Sequence, residues 1–247
     1  MLTFCIITLF PEAFESYFAS SIIGRAIREK KVAVKFYNPR DFVKKVGANG
    51  YLRADNRPYG GGPGMVMEAE PILKAVEKAL GSRKLGVRKA ESQKLKAGSP
   101  PIYFFDASGK QFTNTDARRL AQMKGLRNLS FTRRRTSSKS DIVLICGHYE
   151  GVDARVQKIL KAKKLSVGPY TLTGGEVPAM LVVDAVARQV PGVLGKFESV
   201  EEERVSASEV YTRPEILKWK GKNYRVPKVL LSGNHAKVDE WKKKRRG

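Results

Sequence analysis

Four clusters in this 247-residue chain combine residue types and spacings that could do chemistry. The first, Tyr59-Gly60-Gly61-Gly62-Pro63-Gly64-Met65, makes a loop whose bare backbone lets another group come close. It lacks the Gly-Lys-Ser/Thr ending of a nucleoside-triphosphate loop, and a long tight turn is its plainer reading. The second, Cys146-Gly147-His148-Tyr149-Glu150-Gly151, follows the apolar run 142–146, at the kind of place where open α/β sheets bind ligands. Glu150 could accept hydrogen bonds there, or join Asp153 in facing the positive end of the next helix. The third, Ser166-Val167-Gly168-Pro169-Tyr170-Thr171-Leu172-Thr173-Gly174-Gly175-Glu176, runs from a short strand into an apolar helix. Its glycines permit dihedrals that would turn backbone N–H and C=O groups toward a small polar ligand, or it is a simple connection. The fourth places Arg188 four residues after Asp184, then Pro191-Gly192-Val193-Leu194-Gly195 and Glu201-Glu202-Glu203. Arg188 lies in an otherwise apolar helix end, so it needs either a substrate or an i,i+4 partner in Asp184. No Gly-x-Gly-x-x-Gly follows a strand, so ATPase and nicotinamide chemistry lose weight.

The elements that must position these clusters read as strands alternating with helices. Strands are predicted over 2–8, 32–37, 102–105, 142–146 and 165–167, and helices over 11–29, 70–80, 115–123, 153–163 and 176–190. That order implies an α/β domain with a parallel sheet and helices on both faces. Residues 38–67 read as mostly loop. The acidic and polar stretch 196–211 reads as a linker between a domain over 1–195 and a small C-terminal domain over 212–247. The apolar N-terminus has no basic region before it and meets Pro11 at once, so it reads as a strand and not a signal peptide. No run approaches membrane-spanning length, so no membrane partner is expected. Two cysteines and two histidines are too few for a disulfide framework or a structural zinc site; the expectation is a cytoplasmic protein with no metal ligands.

Charge narrows the partners. Lys and Arg number 47 against 24 acids, a formal charge of +23. Three stretches, 81–140, 154–164 and 237–247, hold nearly all of the excess, so the remainder of the chain is close to neutral. Patches of this kind can simply aid solubility, but three together favour a phosphate-bearing partner. The segments 81–100 and 125–140, rich in Gly, Ser and Thr as well as basic, read as surface insertions.

The motifs together resemble a family, the bacterial tRNA (guanine-N1)-methyltransferases of the SPOUT class. The likeness runs through Ile6 to Pro11, Ser21 to Arg25, Asn38 to Phe42, Arg57 to Met67, Cys146 to Gly151, Gly174 to Met180, Pro191 to Gly195, Tyr211 to Pro214 and Leu230 to His235. The resemblance implies methyl transfer from S-adenosylmethionine to N1 of the guanine at tRNA position 37, 3′ of the anticodon. It implies a SPOUT-type sheet with a deep C-terminal trefoil knot, a small helical tRNA-binding C-terminal domain, and a homodimer with its site between subunits. Donor binding is expected from Tyr103, Phe104, Gly147, Tyr149, Glu150, Val167, Gly168, Pro169, Tyr170, Thr171, Leu172, Gly174, Gly175 and Pro178. Substrate binding is expected from Arg57, Tyr59, Gly60, Gly61, Gly62, Pro63, Gly64 and Asn234. Arg188 matches the catalytic arginine, stabilising negative charge on guanine O6. The carboxylate that removes the N1 proton falls on Glu203, beside Glu202, where most relatives carry aspartate. His148 stands where many have arginine, and Pro169 where many have an acid. Mg2+ is left open as an accessory ion. Two other readings are a SPOUT methyltransferase for another RNA nucleotide, and a basic RNA-binding or assembly protein without catalysis.

Overall fold

Strand β1 (Leu2–Ile7) is buried along its whole length and alternates between two cores: Leu2, Phe4 and Ile6 enter one, Cys5 and Ile7 the other. A strand apolar on both sides must be covered on both sides. The computed structural model describes residues 1–43, 50, 52–81, 100–123, 140–194 and 208–245. The expected helix over 11–29 is broken. A 3-10 turn at Pro11–Phe14 leads into α1 (Glu15–Ala19), then Ser20 turns extended and its hydroxyl bonds the Ser16 carbonyl, so the chain restarts as α2 (Ser21–Arg28). β2 (Val32–Tyr37) follows. Within the expected loop region, the short β3 (Asp55–Asn56) and β4 (Val66–Met67) pair antiparallel and close the base of the glycine-rich loop.

The rest of the first unit continues as α3 (Ala69–Leu80), β5 (Ile102–Gln111), α4 (Asn114–Gln122), β6 (Ser140–Ile145), α5 (Ala154–Leu160), β7 (Lys163–Ser166) and α6 (Glu176–Ala187). Thr113 caps α4 and Asp153 caps α5, each side chain accepting a backbone N–H of the first turn. The sheet has the order β2-β1-β6-β5-β7, all parallel. Helices α1, α2, α4 and α6 contribute to one core, α3 and α5 to the other. The carboxyl ends of β5, β6 and β7 therefore lie side by side. To pass from β6 to edge strand β7 the chain must cross β5, which sets the loops after these strands against each other.

β5 runs further than expected because residues 106–109 loop out: both Phe105 and Lys110 pair with Leu165. Gly109 is required where this excursion closes, since a Cβ there would lie 2.7 Å from the Leu165 backbone nitrogen.

The described residues divide into two compact units, Met1–Val193 and Leu194–Gly247. The second, expected to be helical, opens with an antiparallel hairpin of β8 (Ile216–Trp219) and β9 (Lys222–Arg225), followed by α7 (Lys228–Leu231) and α8 (His235–Lys244). The hairpin escaped the sequence reading because its strands carry lysines where an amphipathic strand would show apolar alternation. Its small core sets Tyr211 edge-on to Trp241, with the Arg245 guanidinium over the Trp241 ring and the Arg245 carbonyl held by Ser208. Most of the expected linker, the bulk of both basic insertions, Gly195 and Glu203 lie outside the described residues. No helix among the described residues is long and apolar enough to cross a membrane.

Candidate active site

The loop after β6 is sewn to the chain behind the glycine-rich loop by three backbone hydrogen bonds. Glu150 N–H donates to the Met65 carbonyl (3.0 Å), Met67 N–H to Gly151 (2.9 Å), and Asp153 N–H to Met67 (3.1 Å). Tyr149 and Gly151 take positive φ, 59° and 126°, to make the reversal. The seam brings Gly64, at φ 85°, against the Glu150 carboxylate: a Cβ at Gly64 would stand 2.6 Å from Glu150 Oε1. The first two clusters thus meet at a named contact. Gly60, Gly61 and Gly62, also at positive φ, face open space; Arg57, Tyr59 and Pro63 are exposed beside them.

The second and third clusters are joined more tightly. Gly175 N–H donates to the Gly147 carbonyl (3.0 Å), and His148 bridges Gly174. Both glycines are tightly enclosed, Gly175 by backbone and Gly174 by side chains. A Cβ at Gly175 would lie 2.4 Å from Cys146 Cα, and one at Gly174 would lie 2.5 Å from both His148 Nε2 and Glu176 Oε2. Beneath them is a network that sequence reasoning missed. Buried Glu176 accepts the Thr8 hydroxyl (2.7 Å) on one oxygen and meets His148 Nε2 (2.9 Å) with the other, while Phe10 packs on the His148 ring. The sequence reading gives Glu176 no role beyond opening the apolar helix; the available signal is its place between a Gly-Gly turn and that helix, where a carboxylate must be buried and therefore paired.

Within the loop after β7, Ser166 both donates to the Gly168 carbonyl and accepts its N–H, and the Tyr170 hydroxyl donates to the Val167 carbonyl. The Tyr170 ring folds over Gly168, leaving no space for a side chain there. Tyr170, Thr171 and Leu172 make no backbone hydrogen bond among the described residues, and with Pro169 they are exposed. Pro178 is buried in the first turn of α6.

The loop out of β5 completes the group. The Phe104 ring lies against Gly147, with 3.3 Å to a Cβ position there. Asp106 accepts the Ser108 N–H and hydroxyl and pairs with Lys164 of β7 at 2.7 Å. Lys164, then Ser108, holds the Asp106 carboxyl down at about 2. Tyr103 behaves differently from Phe104. Its side chain is buried, which pushes its phenol up, and it lines a separate cleft of about 140 Å³ with Lys110, Asp116 and Arg119.

Arg188 caps the C-terminal end of α6, its N–H donating to the Asp184 carbonyl at 3.0 Å. Of the two readings of Arg188, the i,i+4 side-chain pair with Asp184 does not form. The Asp184 carboxylate takes the Tyr17 hydroxyl instead, and among the described residues nothing holds the Arg188 guanidinium. The turn beyond it is fixed by cations of α2 and its flank: Arg25 donates to the Val193 carbonyl (3.1 Å) and Lys31 to that of Gly192. In the second unit the Asn234 side chain caps α8 by accepting the Lys237 N–H (3.1 Å). No group of three or more His, Cys, Asp or Glu side chains among the described residues is placed to hold a metal ion.

Comparison with known proteins gives this geometry a family. The family model described as tRNA (Guanine-1)-methyltransferase TrmD matches residues 2–247. A tRNA (guanine-N(1)-)-methyltransferase of Clostridioides difficile is 36% identical over 244 residues, covering 97% of this chain and 90% of its own. One from Caldanaerobacter subterraneus subsp. tengcongensis is 39% identical over 246 residues, covering 98% and 86%. The crystal structure of tRNA (m1G37) methyltransferase from Aquifex aeolicus superposes with a TM-score of 0.68 at 32% identity, covering 98% of this chain and 87% of the other. The chain belongs to the TrmD family of tRNA (guanine-1)-methyltransferases.

Proposed function

We propose that this protein transfers a methyl group from S-adenosylmethionine to N1 of the guanine at position 37 of tRNA, in the cytoplasm, as a homodimer. The observation that carries the reading is the seam at Gly64 and Glu150, where the glycine-rich loop and the loop after β6 are held together by backbone hydrogen bonds. A site that must bring a donor and a large substrate together needs such a junction, because alignment of the reacting atoms supplies much of the rate.

The residues present fit the donor on structural grounds. Gly147, Gly174 and Gly175 carry no side chain where the loops after β6 and β7 pack closely together, and Tyr170 to Leu172 offer unpaired backbone groups beside them. The donor, when bound, supplies a methyl group on a positively charged sulfur. Phe104, Gly147, Tyr149, Glu150, the segment 167–175 and Pro178 would hold it, with Glu150 available to an amino or hydroxyl group. The chain's own residues do the rest. Guanine N1 carries a proton, which the Glu203 carboxylate removes, and the charge left on O6 is met by the half-buried Arg188 guanidinium. Glutamate reaches one methylene further than aspartate, and misplacement of about 1 Å can cost on the order of 100-fold in rate, so Glu203→Asp should change kcat measurably. The knot of the family would form where the chain between β6 and β7 crosses β5.

The homodimer reading rests on α6, which is mostly apolar and leaves Val177 61% and Leu181 40% exposed one turn apart, with Tyr170 and Leu172 of the preceding loop exposed as well. Val177→Asp with Leu181→Asp should yield monomers by sedimentation; an unchanged mass would place the contact elsewhere.

Activity is tested by incubating the protein with labelled donor and tRNA transcripts bearing G or A at position 37. Label should enter only the G transcript, and Glu203→Gln should abolish it while Glu202→Gln does not. Donor binding without methylation of the G transcript would instead fit an RNA-binding protein that has lost catalysis.

A further inference from the structure

The hairpin of the C-terminal unit carries chemistry that neither the donor loops nor Arg188 uses. Its register pairs Ile216 with Arg225, Leu217 with Tyr224, Lys218 with Asn223 and Trp219 with Lys222. Side chains alternate along each strand, so Leu217, Trp219, Lys222 and Tyr224 share one face, with Trp219 and Tyr224 diagonal neighbours. Both rings are open to solvent, Trp219 at 61% and Tyr224 at 53% exposure, with Leu217 beside them at 53%. Large aromatic side chains are ordinarily covered in a folded unit, and the one other tryptophan of this unit, Trp241, is packed between Tyr211 and Arg245.

Charge surrounds this exposed face. Between 216 and 228 there are five cations, Lys218, Lys220, Lys222, Arg225 and Lys228, and no acid. Among the described residues no carboxylate pairs with any of them. The ribbon is closed by a two-residue turn in which Lys220 and Gly221 both take positive φ, 46° and 76°, the tight type I′ geometry that keeps two strands in a fixed register. Flat aromatic rings on a short stiff mount, ringed by unpaired cations, match the needs of a nucleic-acid single strand: π-faces for bases and point charges for phosphates.

We propose that this hairpin is a stacking platform for an unpaired base of the substrate RNA, with Trp219 and Tyr224 taking the base and Lys222 and Lys220 the adjoining phosphates. The proposal rests on the reading of tRNA as substrate and adds a contact of a particular kind to it. Unpaired segments are the RNA that aromatic side chains can reach, because bases inside an A-form helix are stacked on each other. Lys218 and Arg225, on the opposite face, add to the local field without contacting the base.

The test uses the full chain and a fluorescent tRNA transcript, with affinity measured over a range of salt. Base-on-aromatic stacking predicts a loss of about 5- to 150-fold in Trp219→Ala and in Tyr224→Ala, with the salt slope unchanged and most affinity kept by Trp219→Phe. Lys222→Gln should reduce the salt slope itself, by about 0.7 for one lost single-strand phosphate contact. Tryptophan fluorescence should be quenched by a single-stranded oligonucleotide and not by the same sequence as a duplex, and the quenching should vanish in Trp219→Ala. Parent-like tRNA affinity in Trp219→Ala overturns the proposal. So does preferential binding of phosphatidylserine vesicles that Trp219→Ala abolishes, which would make the hairpin a membrane contact. The two readings separate cleanly: a parent chain that methylates tRNA while Trp219→Ala binds it unchanged fails the hairpin alone, and one that binds through Trp219 without methylating fails the activity alone.

Discussion

Tyr17 donates its hydroxyl hydrogen bond to Asp184 across 167 residues of sequence, one helical turn before Arg188 on the same helix end. The bond occupies the carboxylate that spacing alone would have paired with Arg188. An exposed i,i+4 ion pair is worth about 0.3–0.5 kcal/mol, which would tie up roughly two thirds of the guanidinium population. Tyr17→Phe should therefore lower kcat only about threefold, and adding Asp184→Asn should restore it, since asparagine offers no charge to Arg188. A tenfold loss that Asp184→Asn does not relieve would mean that Tyr17 acts in another way.

The same bond has a pH signature. Burial first, and then Asp184, push the Tyr17 hydroxyl from its ordinary 10.0 up to about 12. A raised pKa means that the folded state holds the proton more tightly, so the contribution is complete below pH 10 and is lost as pH rises through about 12. Denaturant melts of the parent should show a component of alkaline destabilisation in that window which is missing from Tyr17→Phe; superimposable pH profiles would rule the linkage out.

Arg188 itself should behave as a charge acting on the reacting base. Removing a donor of this kind typically costs about 100- to 1,000-fold in kcat. Arg188→Ala should reach that range in single-turnover methylation of the G transcript, with donor affinity by calorimetry unchanged. Lysine lacks the planar fork of arginine, so Arg188→Lys should recover only part of the loss. Equal loss of donor binding would move Arg188 from the reacting base to the donor loops.

Much of this architecture is legible in the chain because burial on two faces leaves a strong pattern. Leu2, Phe4 and Ile6 against Cys5 and Ile7, and Ile142 and Leu144 against Val143 and Ile145, mark the two central strands without help from any partner. The glycine positions are legible as well, although the reason for each is not. Gly175 is needed because the Cys146 backbone passes 2.4 Å from where its Cβ would be, a fact of tertiary approach that spacing does not encode. The pairs that tie distant segments are hidden for the same reason: Thr8 with Glu176, Tyr17 with Asp184, and Asp106 with Lys164 each join residues whose local sequence suggests an ordinary strand end, helix face or loop. The hairpin at 216–225 was hidden by the opposite effect, since both of its faces are exposed and no apolar period has to appear.

Asp106 and Lys164 pin the excursion of β5 to the edge strand, and pH should show it. The Asp106 carboxyl is held at about 2, below its ordinary 3.8, by Lys164 first and Ser108 second. A depressed carboxylate contributes stability above its unfolded pKa and loses it as pH falls through the folded value, so the window lies between about 4 and 2. In Asp106→Asn this acid component should disappear, and the dissociation constant for the donor should rise as residues 106–109 loosen beside Phe104. Unchanged donor binding would show that the excursion does not shape the donor loops.

Gly64 and Glu150 belong to different loops yet compete for the same space, so their substitutions should not add. Gly64→Ala meets two obstacles: a backbone at φ 85° and the Glu150 carboxylate 2.6 Å from the new methyl. The carboxylate is the free end of a flexible side chain and can swing aside, whereas left-handed backbone strain of about 1–2 kcal/mol cannot be relieved by any neighbour. Strain therefore sets the stability loss, about 2–8 °C in Tm for a chain of this size, and Glu150→Ala should return little of it. Donor affinity should follow the other obstacle. Gly64→Ala displaces the Glu150 carboxylate, so it should weaken donor binding much as Glu150→Ala does, and the double variant should be no weaker than the worse single one. Fully additive losses in donor binding would mean that the two loops touch without being coupled.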